Sequence, residues 1–198
     1  MNISIIGSGA IGSAIANHII DAGLEVMLAN SRGPDSLHAM RSKLGPRLIP
    51  ATVEQALSAD LVILAVPFAR IGEVAGRVKD WGGRIVVDTS NAIDFPAFTP
   101  TDLQGRPSTH VVAEQLPGAR VVKAFNTLPA AVLSQDPRTN LGRRVLFVSG
   151  DDVDAVRVVE KLAEDIGFAV IALGAIAEGG LLQQFGGPLI VHNLIRRT

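Results

Sequence analysis

Short runs of apolar residues alternate along this chain with longer stretches in which apolar side chains recur every three or four positions. "ISII" (3–6) is unbroken and ends at Gly7; residues 10–22 then place Ile11, Ile15 and Ile19 on one face, with Gly23 positioned to end a helix. The alternation continues, with further strands expected at 24–29, 61–67, 84–90, 119–125, 144–150 and 168–173. Helices are expected at 35–44, 54–59, 69–79, 108–116 and 152–166, the last with Val153, Val156, Val159, Ala163 and Ile166 on one stripe. A final helix is expected over 180–197, interrupted at Gly186, Gly187 and Pro188.

Strands that read as continuous apolar runs are covered on both faces. The pattern predicts an α/β fold of Rossmann type: a doubly wound, mostly parallel sheet of seven or eight strands with a C-terminal helical segment. Residues 1–198 form one domain in this reading, and residues from about 176 onward cover the site or a dimer interface.

Composition narrows the function. The net charge is −1, and one Trp and no Tyr leave little for stacking bases, so nucleic acid is not an expected partner. No Cys is present, which removes thiolate metal sites and thiol nucleophiles. The four His, at 18, 38, 110 and 192, show no metal-ligand spacing, and no metal is expected. The longest apolar runs fall short of the roughly 18 residues of a membrane span, and "MNISIIG" lacks a charged leader region. A cytoplasmic protein with no membrane partner is expected. The acidic group Asp151, Asp152 and Asp154 stands at a helix start, where capping accounts for it.

"GSGAIG" supplies Gly7, Gly9 and Gly12 in G-x-G-x-x-G spacing, after a strand and opening a helix, as dinucleotide binding requires. Gly7 permits the tight turn, Gly9 lets backbone approach a pyrophosphate, and Gly12 lets the helix pack on the strand. Free N–H groups around Ala10 and Ile11 then face the anion.

At the end of the second strand, where an acid would bind the ribose diol of NAD, stands Asn30, followed by Ser31 and Arg32. A neutral Asn30 removes the repulsion of a 2′-phosphate. Ser31 and Arg32 supply a hydroxyl and a planar guanidinium that suit its oxygens, so NADP(H) is the expected cofactor.

With "IIGSGAIG", "NSRGP", "LAVPF" (64–68), "VVDTSNA" (86–92), "VVKAFNTL" (121–128) and "VSGDDVDA" (148–155), the chain resembles the NADPH-dependent reductases of the deazaflavin coenzyme F420 and their bacterial relatives. The resemblance implies a pyrophosphate loop of Ser8, Gly9, Ala10 and Ile11, and a 2′-phosphate site of Ser31 and Arg32. It further implies a homodimer and a flavin or F420 as second substrate. A basic residue that some members carry shortly after the Arg has no counterpart here, where Asp35 and Ser36 follow. "AVP" (Ala65, Val66, Pro67) and "SNA" end the fourth and fifth strands, placing Val66 and Pro67 against the ribose, and Asn91 and Ala124 nearer the nicotinamide. "AVP" also reads as a strand that stops because Pro cannot continue its ladder.

Lys123, Asn126 and Thr127 are the polar side chains at the end of the sixth strand. A carbonyl or imine acceptor needs a proton donor, and Lys123 is the candidate, with Asn126 beside it. A flavin or deazaflavin delocalises the charge in its own ring and needs no dedicated acid. Three functions follow: hydride transfer from NADPH to a flavin-like small-molecule acceptor, reduction of a small carbonyl or imine in a site shared across a dimer, or a non-catalytic NADPH sensor.

Overall fold

The computed structural model describes residues 1–197. The chain opens with β1 (Ile3–Ile6), α1 (Ala10–Asp21) and β2 (Val26–Ala29), then α2 (His38–Leu44), β3 (Leu48–Pro50), α3 (Val53–Leu57), β4 (Leu61–Leu64), α4 (Ile71–Ala75) and β5 (Ile85–Asp88). A small hairpin, β6 (Ile93–Asp94) and β7 (Thr99–Pro100), precedes α5 (Ser108–Glu114), β8 (Arg120–Ala124) and α6 (Ala130–Leu133). The last third holds β9 (Arg138–Thr139), β10 (Gly142–Gly150), α7 (Val153–Asp165), β11 (Ala169–Ala172), α8 (Leu181–Gln183) and β12 (Ile195–Arg196).

The main sheet runs β11-β10-β8-β5-β4-β1-β2-β3. From β3 to β8 every pairing is parallel; β10 turns antiparallel on β8, and β11 follows β10 in parallel. The chain starts at the centre, winds outward through β2 and β3, then crosses to β4 on the other side of β1. That reversal opens a crevice beyond the ends of β1 and β4, the place where open α/β sheets take ligands.

Each face of the sheet carries a core. Ile3, Ile5, Leu28 and Ile63 pack with Ile15 and Ile19 of α1 and Val159 of α7. Ile6, Val62, Leu64 and Val86 pack on the opposite face with Leu57, Ile71 and Val112 of α3, α4 and α5, and with the fully buried Trp81. This two-sided burial is why the strands read as unbroken apolar runs.

The sequence expectation lacked β3, the β6–β7 hairpin, α6, β9 and β12, and two expected helices, over 69–79 and 180–197, are cut short. β3 is three residues long, too short for periodicity to mark. The helix expected over 69–79 is a 3₁₀ turn at Phe68–Arg70 followed by α4, which ends at Gly76. The C-terminal helical segment is present as a π turn (Ile176–Gly180) and α8, but it stops at Gln183. Gly186 at φ +87° and Val191 at φ +60° turn the chain, and β12 pairs with Arg143 and Arg144. Thr198 lies outside the described residues.

Candidate active site

A cleft of about 390 Å³ lies over the C-terminal ends of β1, β2 and β4. Gly7, Ser8 and Gly9 form its floor, Asn30, Ser31 and Arg32 one wall, and Ala65, Val66 and Pro67 the other. These nine are sequence-predicted site residues, brought together by the parallel register of Ile6 with Ala29 and Leu64.

The three glycines differ in what surrounds them. Gly7, at φ +114°, lies so close to the Ala65 carbonyl oxygen that a Cβ would sit 2.1 Å from it. A Cβ on Gly12 would sit 1.9 Å from the Gly7 carbonyl oxygen, so Gly12 is what lets α1 press onto the loop. A Cβ on Gly9 would meet nothing within 4 Å. The space above Gly9 is open to a ligand lying against bare backbone. The first turn of α1, at Ala10, Ile11 and Gly12, carries no acidic side chain and its N-cap no side-chain bond. Its N–H groups are therefore presented to an anion, with the positive end of the helix dipole behind them.

Asn30 is nearly buried and knits the loops together. Its Nδ2 donates to the Ser8 hydroxyl at 2.9 Å and to the Ser36 hydroxyl at 3.0 Å, and its Oδ1 accepts from the Arg32 N–H at 2.8 Å. A carboxylate could accept from Arg32 but could not supply the two donated bonds. Ser31 and Arg32 remain exposed at the rim. Ser36, a partner that sequence reasoning passed over, belongs to this network through its side chain alone.

Arg70, Glu73, Val74 and Arg77 also line the cleft, with Val53 at the start of α3. Arg77 bonds Glu54 at 2.6 Å and Arg70 bonds Glu73 at 2.7 Å, all on exposed side chains. The Glu54 carboxyl is held below its ordinary range, first by backbone hydrogen bonding at the helix start and then by Arg77. Two further cations, Arg70 and Arg77, thus reach the cleft from the two ends of α4 and not from the residues following Arg32. Proximity to "AVP" was the available signal.

The residues expected near the nicotinamide are arranged differently from the sequence reading. Lys123 is fully buried; its Nζ donates to Asp88 Oδ2 and to the Ser90 carbonyl oxygen, both at 3.0 Å. It does not line the cleft, and its ammonium is paired with a buried carboxylate. Ala124 is likewise buried in the core and does not line the cleft.

Burial alone would raise the Asp88 carboxyl. The Lys123 ammonium and hydrogen bonds from Ser90 and Thr109 outweigh it and hold Asp88 below the usual carboxylate range. Asn91 is half-buried and donates to the Asn126 carbonyl oxygen at 2.9 Å; Asn126 donates to Asn91 Oδ1 at 3.0 Å and to the Gln183 carbonyl oxygen at 2.6 Å. Gln183, fully buried and also bonded to the Lys123 carbonyl oxygen, fastens the C-terminal segment to this network. It lay in the stretch whose helical pattern misled.

Of the acidic group, Asp152 caps α7 through the Ala155 N–H at 2.7 Å, and Asp151 accepts from the Ile176 N–H at 2.9 Å. Among the described residues no helix is long and apolar enough to cross a membrane.

Residues 2–92 match the family of coenzyme F420-dependent NADP oxidoreductases. A candidate F420-dependent NADP-reductase from Arthrobacter sp. FB24 shares 26% identity and superposes with a TM-score of 0.73, covering 99% of this chain and 100% of that one. The chain belongs to the NADP oxidoreductase family. A hypothetical protein, SMa0349 from Sinorhizobium meliloti, is more similar still: 52% identity and a TM-score of 0.96, over 99% of this chain and 96% of that one. The metalloreductase STEAP3 of Rattus norvegicus is 30% identical over 181 residues, 88% of this chain. The chain spans about a third of that relative's length, 34%. The stretch that matches the NADP oxidoreductase family runs from β1 to the loop after β5 and contains every residue lining the cleft.

Proposed function

We propose that this NADP oxidoreductase binds NADP(H) in the cleft over β1, β2 and β4 and passes hydride between it and a flavin-like or deazaflavin acceptor. The pyrophosphate lies over Gly9 against the first turn of α1, where the open space and unpaired N–H groups favour an anion. The 2′-phosphate is held by the Ser31 hydroxyl and the Arg32 guanidinium, with Arg77 on the facing wall as a second cation. The nicotinamide lies beyond Val66 and Pro67, towards Asn91.

One observation favours this acceptor class. Lys123 and Asn126, the two candidates for proton donation at the end of β8, are both committed: Lys123 to Asp88 and Ser90, Asn126 to Asn91 and Gln183. Neither stands free as an acid for a carbonyl oxygen or an imine nitrogen, and a ring that delocalises the incoming charge needs none. Held by the glycine loop, Ser31 and Arg32, NADPH would supply a hydride, which the acceptor would take up with one solvent proton, leaving NADP⁺. The chain's contribution is to hold two rings about 3–3.5 Å apart.

The test is NADPH oxidation with FMN, FAD, riboflavin, F420, ferric chelates and small carbonyl compounds, the ferric chelates included because the rat relative is a metalloreductase. Turnover is expected with a flavin or deazaflavin. Turnover confined to carbonyls contradicts the proposal, and tight NADPH binding without turnover on any of them marks a sensor. We also propose a homodimer formed through Leu181, Leu182 and Val191, apolar side chains that the C-terminal segment leaves exposed.

A further inference from the structure

β5 ends at Asp88, and the chain then runs through Thr89 and Ser90 to Asn91. Beneath this short loop lies an ion pair that an apolar sheet would ordinarily exclude, Asp88 with Lys123, both fully buried and 3.0 Å apart. Apolar residues of similar volume often serve stability as well as a buried pair or better, so stability alone does not account for it. What sets the pair apart is where its other hydrogen bonds go.

Three of them converge on one residue. Asp88 Oδ1 accepts from the Ser90 N–H at 2.9 Å and from the Ser90 hydroxyl at 2.6 Å, and Lys123 Nζ donates to the Ser90 carbonyl oxygen at 3.0 Å. Both backbone polar groups of Ser90 are thereby bound to charged partners, the stronger class of hydrogen bond. Thr89 is fastened sideways to β4, its hydroxyl donating to the Leu64 carbonyl oxygen at 2.9 Å. Asn91 is latched from the β8 side at both ends of its amide. Its Nδ2 donates to the Asn126 carbonyl oxygen at 2.9 Å, and its Oδ1 accepts from Asn126 Nδ2 at 3.0 Å. One amide N–H and one lone pair of the half-buried Asn91 are left over.

We propose that Asp88, Lys123 and Asn126 are positioning residues for the nicotinamide half of the cofactor. The ion pair fixes the Ser90 backbone and Asn126 fixes the Asn91 amide, so that Asn91 offers its remaining donor and acceptor in one orientation to the nicotinamide carboxamide. This role rests on the placement, proposed above, of the nicotinamide towards Asn91. A carboxamide has a donor and an acceptor of its own to answer them. A side chain already latched gives up little rotamer freedom when the ligand arrives. The adenosine half of the cleft is organised by a separate set of bonds, those of Asn30 with Ser8, Ser36 and Arg32. The two halves can therefore be perturbed one at a time.

The experiment compares calorimetric titration with NADPH and with 2′-phospho-ADP-ribose, the same dinucleotide without its nicotinamide. The full chain is compared with Asn126→Ala, Lys123→Met and Thr109→Val, with a thermal midpoint measured on each. Thr109→Val is the structural control: it removes a 2.7 Å bond to Asp88 Oδ2 and leaves the bonds to Ser90 and Asn91 in place. Asn126→Ala strands no charge and carries the test where Lys123→Met does not fold. The intact protein is expected to bind NADPH more tightly than the truncated ligand. Asn126→Ala and Lys123→Met are each expected to shrink that preference about three- to tenfold, as for one or two lost hydrogen bonds, with 2′-phospho-ADP-ribose affinity unchanged. Thr109→Val is expected to lower the midpoint and keep the preference. An undiminished preference in Asn126→Ala, or equal losses for both ligands, overturns the positioning role and leaves the cofactor reading standing. Equal binding of the two ligands by the intact protein overturns both this role and the placement of the nicotinamide towards Asn91. Binding of neither sinks the cofactor reading and this role with it.

Discussion

A methyl group on Gly9 would stand in open space, whereas one on Gly12 would strike the Gly7 carbonyl oxygen at 1.9 Å. The two smallest changes available in the loop therefore have opposite signatures. Gly9→Ala is expected to keep the thermal midpoint within a few degrees yet weaken NADPH binding tenfold or more, as the methyl occupies the place of the pyrophosphate. Gly12→Ala is expected to destabilise the fold by about 1–3 kcal/mol, in the range of overpacked sites. Calorimetric titration and thermal unfolding of both variants check this; a Gly9→Ala protein that binds NADPH normally contradicts it. At this scale the glycine loop was legible because its spacing is a backbone property. The Asn30 network was not, since the two bonds Asn30 donates depend on where Ser8 and Ser36 turn their hydroxyls.

β5 and β8 are neighbours whose register sets Asp88 directly beside Lys123, with both side chains fully buried. Each interrupts an apolar run that was readable in the sequence, but only the register shows that they answer one another. Lys123 thus read as a candidate donor when it is half of a buried pair. Breaking such a pair from one side leaves an uncompensated charge, so Asp88→Asn is expected to cost about 3–5 kcal/mol.

The pH dependence follows from the lowered Asp88 value. A carboxyl depressed in the folded state stabilises fully above its unfolded pKa, about 3.9, and loses that contribution as pH falls through the folded value. Stability should therefore be level in this respect through neutral pH and decline in acid, below about pH 4. Denaturant unfolding across pH, with Asp88→Asn lacking this part of the decline, checks it. An Asp88→Asn protein as stable as its parent contradicts it.

Across the whole molecule, the reversal of strand order at β1 and β4 creates the cleft, and the sequence carried that topology in its alternation of apolar runs and amphipathic stretches. The far end of the sheet was less legible. β10 runs antiparallel to β8, and the segment beyond Gln183 follows turns at Gly186 and Val191, so its apolar residues did not report a helix. That segment leaves Leu181, Leu182 and Val191 exposed, and sedimentation at micromolar concentration is expected to show a dimer that Leu181→Ser with Leu182→Ser converts to monomer. A monomer in the unaltered protein contradicts it.

The central claim is that a phosphorylated dinucleotide occupies the cleft with its extra anion on Ser31 and Arg32. Two charge-assisted hydrogen bonds, at roughly 1.5–3 kcal/mol each, correspond to a preference of about a hundredfold or more. Calorimetric titration of the protein with NADP⁺ and with NAD⁺ measures this directly. Binding of NADP⁺ about a hundredfold tighter than NAD⁺, with most of the difference gone in Arg32→Ala, is the predicted result; equal affinity for the two, or a preference untouched by Arg32→Ala, contradicts the account.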